Sequence, residues 1–503
     1  MNIPQRHPRS HVAVFLAAAL LSAAGPVLAE EIPITLDTAV RAAIERNLEL
    51  RVQAFAPALS ETDVRRARAI FDPNLSLLLD HRGSNAPAAP ESPFVERSRF
   101  FDANFSTDVL LSSGATASAA FTNLWSRDNP GTPLSRYAQP QISLSLSQPV
   151  LRGFGKAMTE KDITIAAYAK ASSLLQWRSV AISTVAAARD GYFALVKARE
   201  NLETRRSSLA VAKEIHTGNR ARVKAGVLAE VELLDSGFGV AQREQDLLAA
   251  EKSVKDASDS LAVQIQYGVG SELVPADSIP VEPGEVSEQE AMAIALRNRP
   301  DLQNANVGRE TEEFRTKVAR NEMLPAVSLT GSAGLEGLAP DYGNALDDLK
   351  SGNSPFWSVG VGFSFPLGNH AAKADLAAGL LRERQAETRI QSLTESIRLD
   401  VRSALRALET SVRQIETAQK GIALGEARLA SFLKRGKVGL AVTKDILQAE
   451  SDLTAAREIL TAARADYQRT QTLLWKGTGE LLERQGIPIE DPAIENLAWK
   501  ELR

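Results

Sequence analysis

Apolar residues at Ile390, Leu393, Ile397, Val401, Leu405, Leu408, Val412 and Ile415 recur every three or four positions, with Arg, Glu, Gln and Ala filling the gaps. That spacing predicts a narrow apolar seam along one helix. The pattern spans about 371–434, roughly 60 residues, or on the order of 90 Å at 1.5 Å per residue. A counterpart covers about 162–223. A lone helix of that length cannot bury its seam, so each must pack lengthwise on others. Alanine faces such as Ala186-Ala187-Ala188 and Ala455-Ala456 allow close approach. Both runs stop at a glycine, in Gly226-Val227-Leu228 and Gly439-Leu440-Ala441, and helical patterns resume over about 230–267 and 443–475. Glycine just past a Lys/Arg-bearing end is a helix stop signal. The reading is two long antiparallel helical hairpins with tight tips. Opening helices at about 36–70 and 287–322 can stack end to end with the shorter return helices to make up the length.

Between opening and long helix the period changes from 3.6 to 2. Ile142, Leu144 and Leu146 alternate with Ser143, Ser145 and Ser147, and similar stretches occur at 74–79, 101–109, 115–122, 326–331 and 357–365. Strict alternation predicts strands with one apolar and one small polar face, which suits a membrane barrel with a wet lumen. A soluble β-sandwich core is the other reading of these strands alone. Of the 27 aromatic residues, 13 fall in 94–154 and 342–365, the concentration that girdles at a bilayer interface produce. Stretches 82–97, 126–140 and 336–355, rich in Pro, Gly, Asn and Ser, read as loops at the strand ends.

The second half repeats the first. Thr35–Leu50 aligns without gaps on Ser287–Leu302, and Pro73-x-x-Ser76-Leu77 on Pro325-x-x-Ser328-Leu329. At another offset Arg189-x-x-Tyr192-x-x-Leu195 matches Arg402-x-x-Leu405-x-x-Leu408, and Arg222-x-Lys224-x-Gly226 matches Arg435-x-Lys437-x-Gly439. One duplicated unit explains both. The organisation expected is a leader at 1–29, repeats over 30–283 and 284–484, and a tail at 485–503.

The leader reads as a secretory signal peptide: Arg6 and Arg9, a short apolar run from Val12 to Ala24, and Val27-Leu28-Ala29 before Glu30. The run falls short of the roughly 18–20 residues of a spanning helix, which favours export over anchoring. The chain has no cysteine, which excludes disulfides, thiolate metal sites, a cysteine nucleophile and a lipidated cysteine anchor. Removing the leader takes two of 58 basic and none of 62 acidic residues, leaving a net charge of −6. A mildly acidic chain speaks against a nucleic-acid partner.

No catalytic constellation is legible. His81, His216 and His370 are far apart in different elements, and Gly153-Phe-Gly155-Lys156-Ala157 lacks the spacing and the Ser/Thr of a phosphate loop, so it reads as a turn. No cofactor or metal is expected. The tips carry more: Glu230, Glu232 and Asp235 follow the first glycine, and Lys444, Asp445 and Gln448 the second. Tips converging on an axis would make these carboxylates a cation-attracting ring. Acidic first turns also complement the helix dipole whatever the function, and both readings stand at this level.

Signal, duplication and motif order together resemble the TolC family of outer-membrane efflux channels, over nearly the whole exported chain. The resemblance is carried by Leu36-x-x-Ala39-x-x-x-Ala43, Ala291-x-x-x-Ala295, Leu324-Pro325-x-x-Ser328, Leu146-Ser-Gln-Pro149, Phe363-Ser-Phe-Pro366 and the tips Gly226-Val-Leu228 and Val438-Gly-Leu440. It implies an α+β, mainly α fold: a homotrimer whose outer-membrane β-barrel continues into a periplasmic α-barrel closed by the tips. It also implies a periplasmic adaptor protein meeting the tips, an inner-membrane transporter behind it, and no enzyme activity. By resemblance, Arg222, Gly226, Val227, Leu228, Arg435, Gly439 and Leu440 belong to the adaptor contact. Glu230, Glu232, Asp235, Asp445 and Gln448 belong to the aperture; Glu232 and Asp445 fall on the family's acidic entrance positions. Gln448 stands where a second carboxylate occurs, and Ala441 where a latch arginine can occur. Family members typically contribute four strands per protomer, whereas residues 99–111 and 113–123 read as an extra hairpin confined to the first half. The function expected is a passive export duct in a tripartite efflux or type I secretion system. A periplasmic coiled-coil scaffold without a pore is the alternative.

Overall fold

A computed structural model describes residues 31–86, 96–127, 135–268, 272–281 and 286–488. The expected leader, nearly all of the 485–503 tail, and parts of the loops at 82–97 and 126–140 lie outside the described residues. In chain order the first half holds β1 (Glu31–Ile34), α1 (Leu36–Arg46), α2 (Leu48–Arg68), β2 (Asn74–Ala86), β3 (Glu96–Leu110), β4 (Thr116–Arg127), β5 (Arg136–Pro149), the short α3 (Lys156–Thr159), α4 (Lys161–Lys224), α5 (Glu230–Ile265) and β6 (Glu272–Pro275). The second holds α6 (Glu288–Asn298), α7 (Pro300–Glu322), β7 (Ala326–Glu336), α8 (Tyr342–Ser351), β8 (Pro355–Ser364), α9 (His370–Lys437), α10 (Thr443–Thr478) and α11 (Leu481–Arg484). Two compact units draw on both halves: a helical unit of 31–52, 180–299 and 397–488, and a sheet unit of 53–179 and 300–396.

In the helical unit, β1 and β6 pair in parallel, and α1, α4 and α5 close over Tyr192, Leu195, Leu261, Ile265 and Leu273. The Tyr192 hydroxyl donates to Asp277 Oδ2 at 3.0 Å, and burial pushes its phenol above the ordinary value. Arg189 is buried too. Its Nε donates to Thr472 Oγ1 at 3.0 Å, its guanidinium lies 4.8 Å over the Trp475 ring, and desolvation lowers its pKa to about 10. A cation kept from water by stacking and neutral acceptors in this way is fixed in place by packing.

The opening helices, expected to be continuous, are each broken once. Thr35 starts α1 through a capping box with Thr38, and the helix ends at Asn47 (φ −60°, ψ 120°). Asn47 Oδ1 then accepts from Leu50 N at 2.9 Å, capping α2, while its Nδ2 donates to Gln264 O at 3.1 Å, an end carbonyl of α5. One amide thus satisfies groups at two helix ends that would otherwise lack partners. The second half breaks at the matching place, where Arg299 precedes Pro300. Proline pushes its predecessor out of the helical region and itself favours a first helical turn. Here the glycine that ends α10, Gly479 (φ +76°), lies so close that a Cβ would be 2.9 Å from the Asn298 carbonyl. The stacking of return on opening helices anticipated above is therefore present at both junctions, through different chemistry.

The sheet unit carries one six-stranded antiparallel sheet in the order β2-β3-β4-β5-β7-β8. The extra hairpin, β3 and β4, is part of this sheet and lengthens it. Residues directly opposite on neighbouring strands share a face. One row across all six strands is Leu77, Phe105, Phe121, Ile142, Leu335 and Pro355. A row on the other face is Asn74, Asp108, Ser118, Ser145, Ser332 and Ser358. Leu75, Leu77, Leu144, Trp357, Val359 and Val361 on the apolar face are exposed. The helix α8, capped by Asp341, packs near the far ends of β4 and β5: Tyr342 stacks 5.0 Å from Trp125 and donates to Asn123 Oδ1 at 2.8 Å. At the opposite end the β3–β4 turn is pinned to the chain leaving β5. Gly155 N donates to Ser113 O at 3.0 Å, and Gly114 (φ +89°) has room for no side chain, since a Cβ would be 2.8 Å from Gly153 O. Gly153 to Gly155 thus form a turn, as expected, while Lys156 and Ala157 already belong to α3.

Candidate functional site

Both hairpin tips close by the same hydrogen bonds. Gly226 (φ +74°) follows α4, with Val227 N donating to Arg222 O at 3.0 Å and Gly226 N to Val223 O at 2.9 Å. Gly439 (φ +79°) follows α9, with Leu440 N donating to Arg435 O at 2.9 Å and Gly439 N to Gly436 O at 3.2 Å. These are the paired bonds of a Schellman stop. The repeated Arg-x-Lys-x-Gly motif is therefore a helix terminus: the glycine takes the left-handed residue and the cations face the negative end of the dipole.

Within the helical unit the first tip caps the second. α10 begins after Val442, which has no side chain able to cap it. Glu232 of the first hairpin does so instead: Thr443 N donates to Glu232 Oε2 at 2.7 Å. The buried Asn219 donates to Thr443 Oγ1 at 2.7 Å, and Arg222 Nη1 donates to Gly436 O at 3.0 Å. Further along, Arg243 and Glu450 form a buried ion pair, their side chains 10% and 4% exposed. Arg243 Nε donates to Glu450 Oε2 at 2.8 Å and Nη2 to Leu447 O at 3.0 Å, while Thr454 Oγ1 donates to Glu450 Oε1 at 2.9 Å. Five hydrogen-bonded residue pairs at and near the tips thus fasten the first hairpin to the second.

Of the acidic positions singled out in the sequence, Glu232 is half-buried and engaged as a cap, while Glu230, Asp235 and Asp445 are exposed. Gln448 is exposed and donates to Asp452 Oδ1 at 2.8 Å, which places Asp445, Gln448 and Asp452 along one helix face. Val227 and Leu440 stand out at the tips, 67% and 75% exposed, and Leu228 is half-buried. An exposed stripe of Val231, Leu234 and Phe238 continues along α5. Sequence reasoning missed Asn219, Thr443, Arg243 and Glu450, whose partners lie more than two hundred residues away. One trace was legible: Glu450 interrupts the Ile446, Leu447, Leu453 face of α10, and a carboxylate on a buried face needs a cation.

Among the described residues no cluster of His, Asp and Glu could hold a metal ion, and no helix is long and apolar enough to cross a membrane. Exposed apolar side chains of the sheet, among them Leu75, Leu77, Leu144, Trp357, Val359 and Val361, lie instead on its apolar face.

Residues 39–264 and 292–480 match the family described as outer membrane efflux protein. The outer membrane efflux protein BepC of Brucella suis is 24% identical over 357 residues, 70% of this chain and 75% of that protein. The crystal structure of the Campylobacter jejuni CmeC outer membrane channel superposes with a TM-score of 0.62 at 18% identity, covering 93% of this chain and 88% of that one. The outer membrane protein VceC of Vibrio cholerae gives a TM-score of 0.62 at 16% identity, covering 88% and 96%. The fold is that of these channels.

Proposed function

The chain belongs to the outer membrane efflux protein family, and from that premise we propose that three copies assemble into a passive export duct gated at the hairpin tips. As a family member it is an outer-membrane efflux channel component of a Gram-negative bacterium, with most of its length in the periplasm. That membership sets aside a scaffold without a pore. The observation that carries the duct is the sheet: each strand has one mainly apolar face, fit for lipid, and one mainly polar face, fit for a wet lumen. Export through such a lumen needs no bond-making chemistry, so the energy comes from an inner-membrane transporter coupled through a periplasmic adaptor.

In this reading the adaptor docks on the two Schellman turns, where Val227, Val438 and Leu440 leave apolar surface exposed beside Gly226 and Gly439. Asp445 and Gln448, with Glu230 and Asp235, face the aperture, and Asp445 supplies the negative charge that draws cations. Glu232 works differently. As the cap of α10 it holds the two hairpins together, and releasing it lets the tips part.

Single-channel recording of the detergent-purified protein, alongside its oligomeric mass, tests this. Asp445→Ala should lower cation preference without changing opening frequency, and Glu232→Ala should raise opening frequency without changing selectivity. Leu440→Glu should abolish cross-linking to the adaptor while the trimer persists. A protein without currents, or unchanged currents in both tip variants, would remove the gate from the tips.

A further inference from the structure

The sheet has six strands, and its first and last, β2 and β8, each have a neighbour on one side only among the described residues. In lipid an open edge cannot persist, because each unpaired backbone N–H or C=O costs several kcal/mol there. The sheet must therefore be closed by a strand from elsewhere. Six antiparallel strands in chain order run alternately up and down, so β2 and β8 run in opposite directions. A β8 from one copy can then meet the β2 of the next as an ordinary antiparallel pair.

The inserted hairpin decides how wide the closed wall is. A hairpin folded into the lumen would be wet on both faces, and one capping the mouth would lie outside the sheet. The pair β3–β4 does neither. Phe101, Phe105 and Val109 of β3 and Ala117, Ala119 and Phe121 of β4 share the apolar face through an unbroken register with β2 and β5. The polar face passes through them equally, as Ser106 and Asp108 meet Ala120 and Ser118. The hairpin turn at Ser113–Gly114 is pinned at the same level as the chain leaving β5.

We infer that β3 and β4 are wall strands, so that each copy contributes six strands and a trimer closes a barrel of eighteen, β8 of each copy pairing with β2 of the next. This rests on the trimeric duct argued above. Barrel diameter grows roughly linearly with strand number, so the outer-membrane lumen is about one and a half times as wide as a twelve-strand barrel built from four strands per copy. Ser118, Ser145, Ser332 and Ser358 put small side chains along one row of its lining. Size selection then falls to the tips, and the outer-membrane section admits cargo that a twelve-strand wall would exclude.

The chain has no native cysteine, which makes cross-linking clean. Ser76→Cys in β2 is combined with a cysteine scan of the lumen-facing β8 positions Ser358, Gly360, Gly362 and Ser364, and separately with Ser147→Cys in β5. A short bis-maleimide is applied to the protein in outer-membrane vesicles. The expected result is β2–β8 cross-links between copies, giving a ladder that ends at a covalent trimer, with no β2–β5 product. Efficient β2–β5 cross-linking within one chain would mean that β3–β4 leaves the wall, and it overturns the proposal. A β2–β8 ladder ending at another copy number would keep the six-strand contribution and retire the trimer. Absence of both products would also overturn closure by a second copy. Electron microscopy of the unmodified protein in nanodiscs supplies the readout that no variant can disturb: eighteen strands in cross-section, against twelve.

Discussion

The buried Arg243–Glu450 pair gives the sharpest quantitative expectation. Arg243→Met keeps an unbranched apolar stem but leaves the Glu450 carboxylate, 4% exposed, with only Thr454 as a donor among the bonds described above. Removing one partner of a buried pair costs about 3–5 kcal/mol, because the remaining charge is stranded, whereas replacing both by apolar residues is often neutral. Glu450→Leu alone should therefore destabilise the α5–α10 contact about as much as Arg243→Met, while the double variant should return near the parent. The tips offer the assay, since Arg222, Lys224, Arg435 and Lys437 flank both turns as trypsin sites. When opening is fast relative to cleavage, the cleavage rate follows the open population. A cost of about 3–5 kcal/mol then raises cleavage by on the order of a hundred- to a few-thousand-fold in each single variant. Parent-like cleavage in Arg243→Met would show that the pair does not hold the hairpins together. Fast cleavage in the double variant would show that the site needs the charges themselves.

Three further outcomes follow from other parts of the molecule. Asn47→Ala removes a cap of α2 and a donor to the end of α5, costing about 1–2 kcal/mol, read as faster hydrogen exchange at both helix ends; Asn47→Asp should restore the α2 end only, and equal protection in all three proteins would dismiss the double cap. Leu144→Arg on the apolar face should cost about 2–4 kcal/mol and block assembly in membranes, whereas Ser145→Arg should assemble and shift selectivity toward anions; assembly of both would reverse or erase the assignment of faces. Glu61 lies below its ordinary value of 4.5, chiefly through the hydrogen bond from Arg65, with Lys170 adding to it. A lowered carboxylate contributes stability that is present above the unfolded value and lost as pH falls through the folded one. Glu61→Gln should therefore flatten the loss of stability of the sheet unit below about pH 4.5, and an unchanged acid midpoint would exclude Glu61 as a contributor.

Local chemistry was legible in the sequence wherever a residue's role depends on its near neighbours. The outgoing helices, expected over about 162–223 and 371–434, extend over Lys161–Lys224 and His370–Lys437. Their ends were readable because Arg-x-Lys-x-Gly encodes a helix stop within five residues. The strand cores were readable because a period of two records which face meets lipid, though the strands run on past the alternating stretches: β5 begins at Arg136, where α8 covers its end. The break at Arg299 had a local cause in Pro300. The break at Asn47 had one too, since its Oδ1 caps α2 three residues on, but its second bond reaches Gln264, more than two hundred residues away, and no local pattern encodes that.

What the tertiary structure alone decided is which side chains from distant segments meet. Glu232 reads in sequence as one of three acids in a helix's first turns, and only the fold makes it the cap of another helix. Glu450 is marked in sequence only as a break in an apolar face, and that Arg243 is its partner is decided by packing, which excludes water from both. The extra hairpin was visible as alternation, but alternation carries no register. Its place in the sheet came from pairing with β2 and β5, because backbone hydrogen bonds between strands fix neighbours that sequence distance does not. The chain by itself determined the elements and where they stop, since those depend on backbone geometry and local side chains. The fold determined which charges are buried, which ends are capped across elements and how many strands share one sheet, since those depend on contacts between residues far apart in the chain.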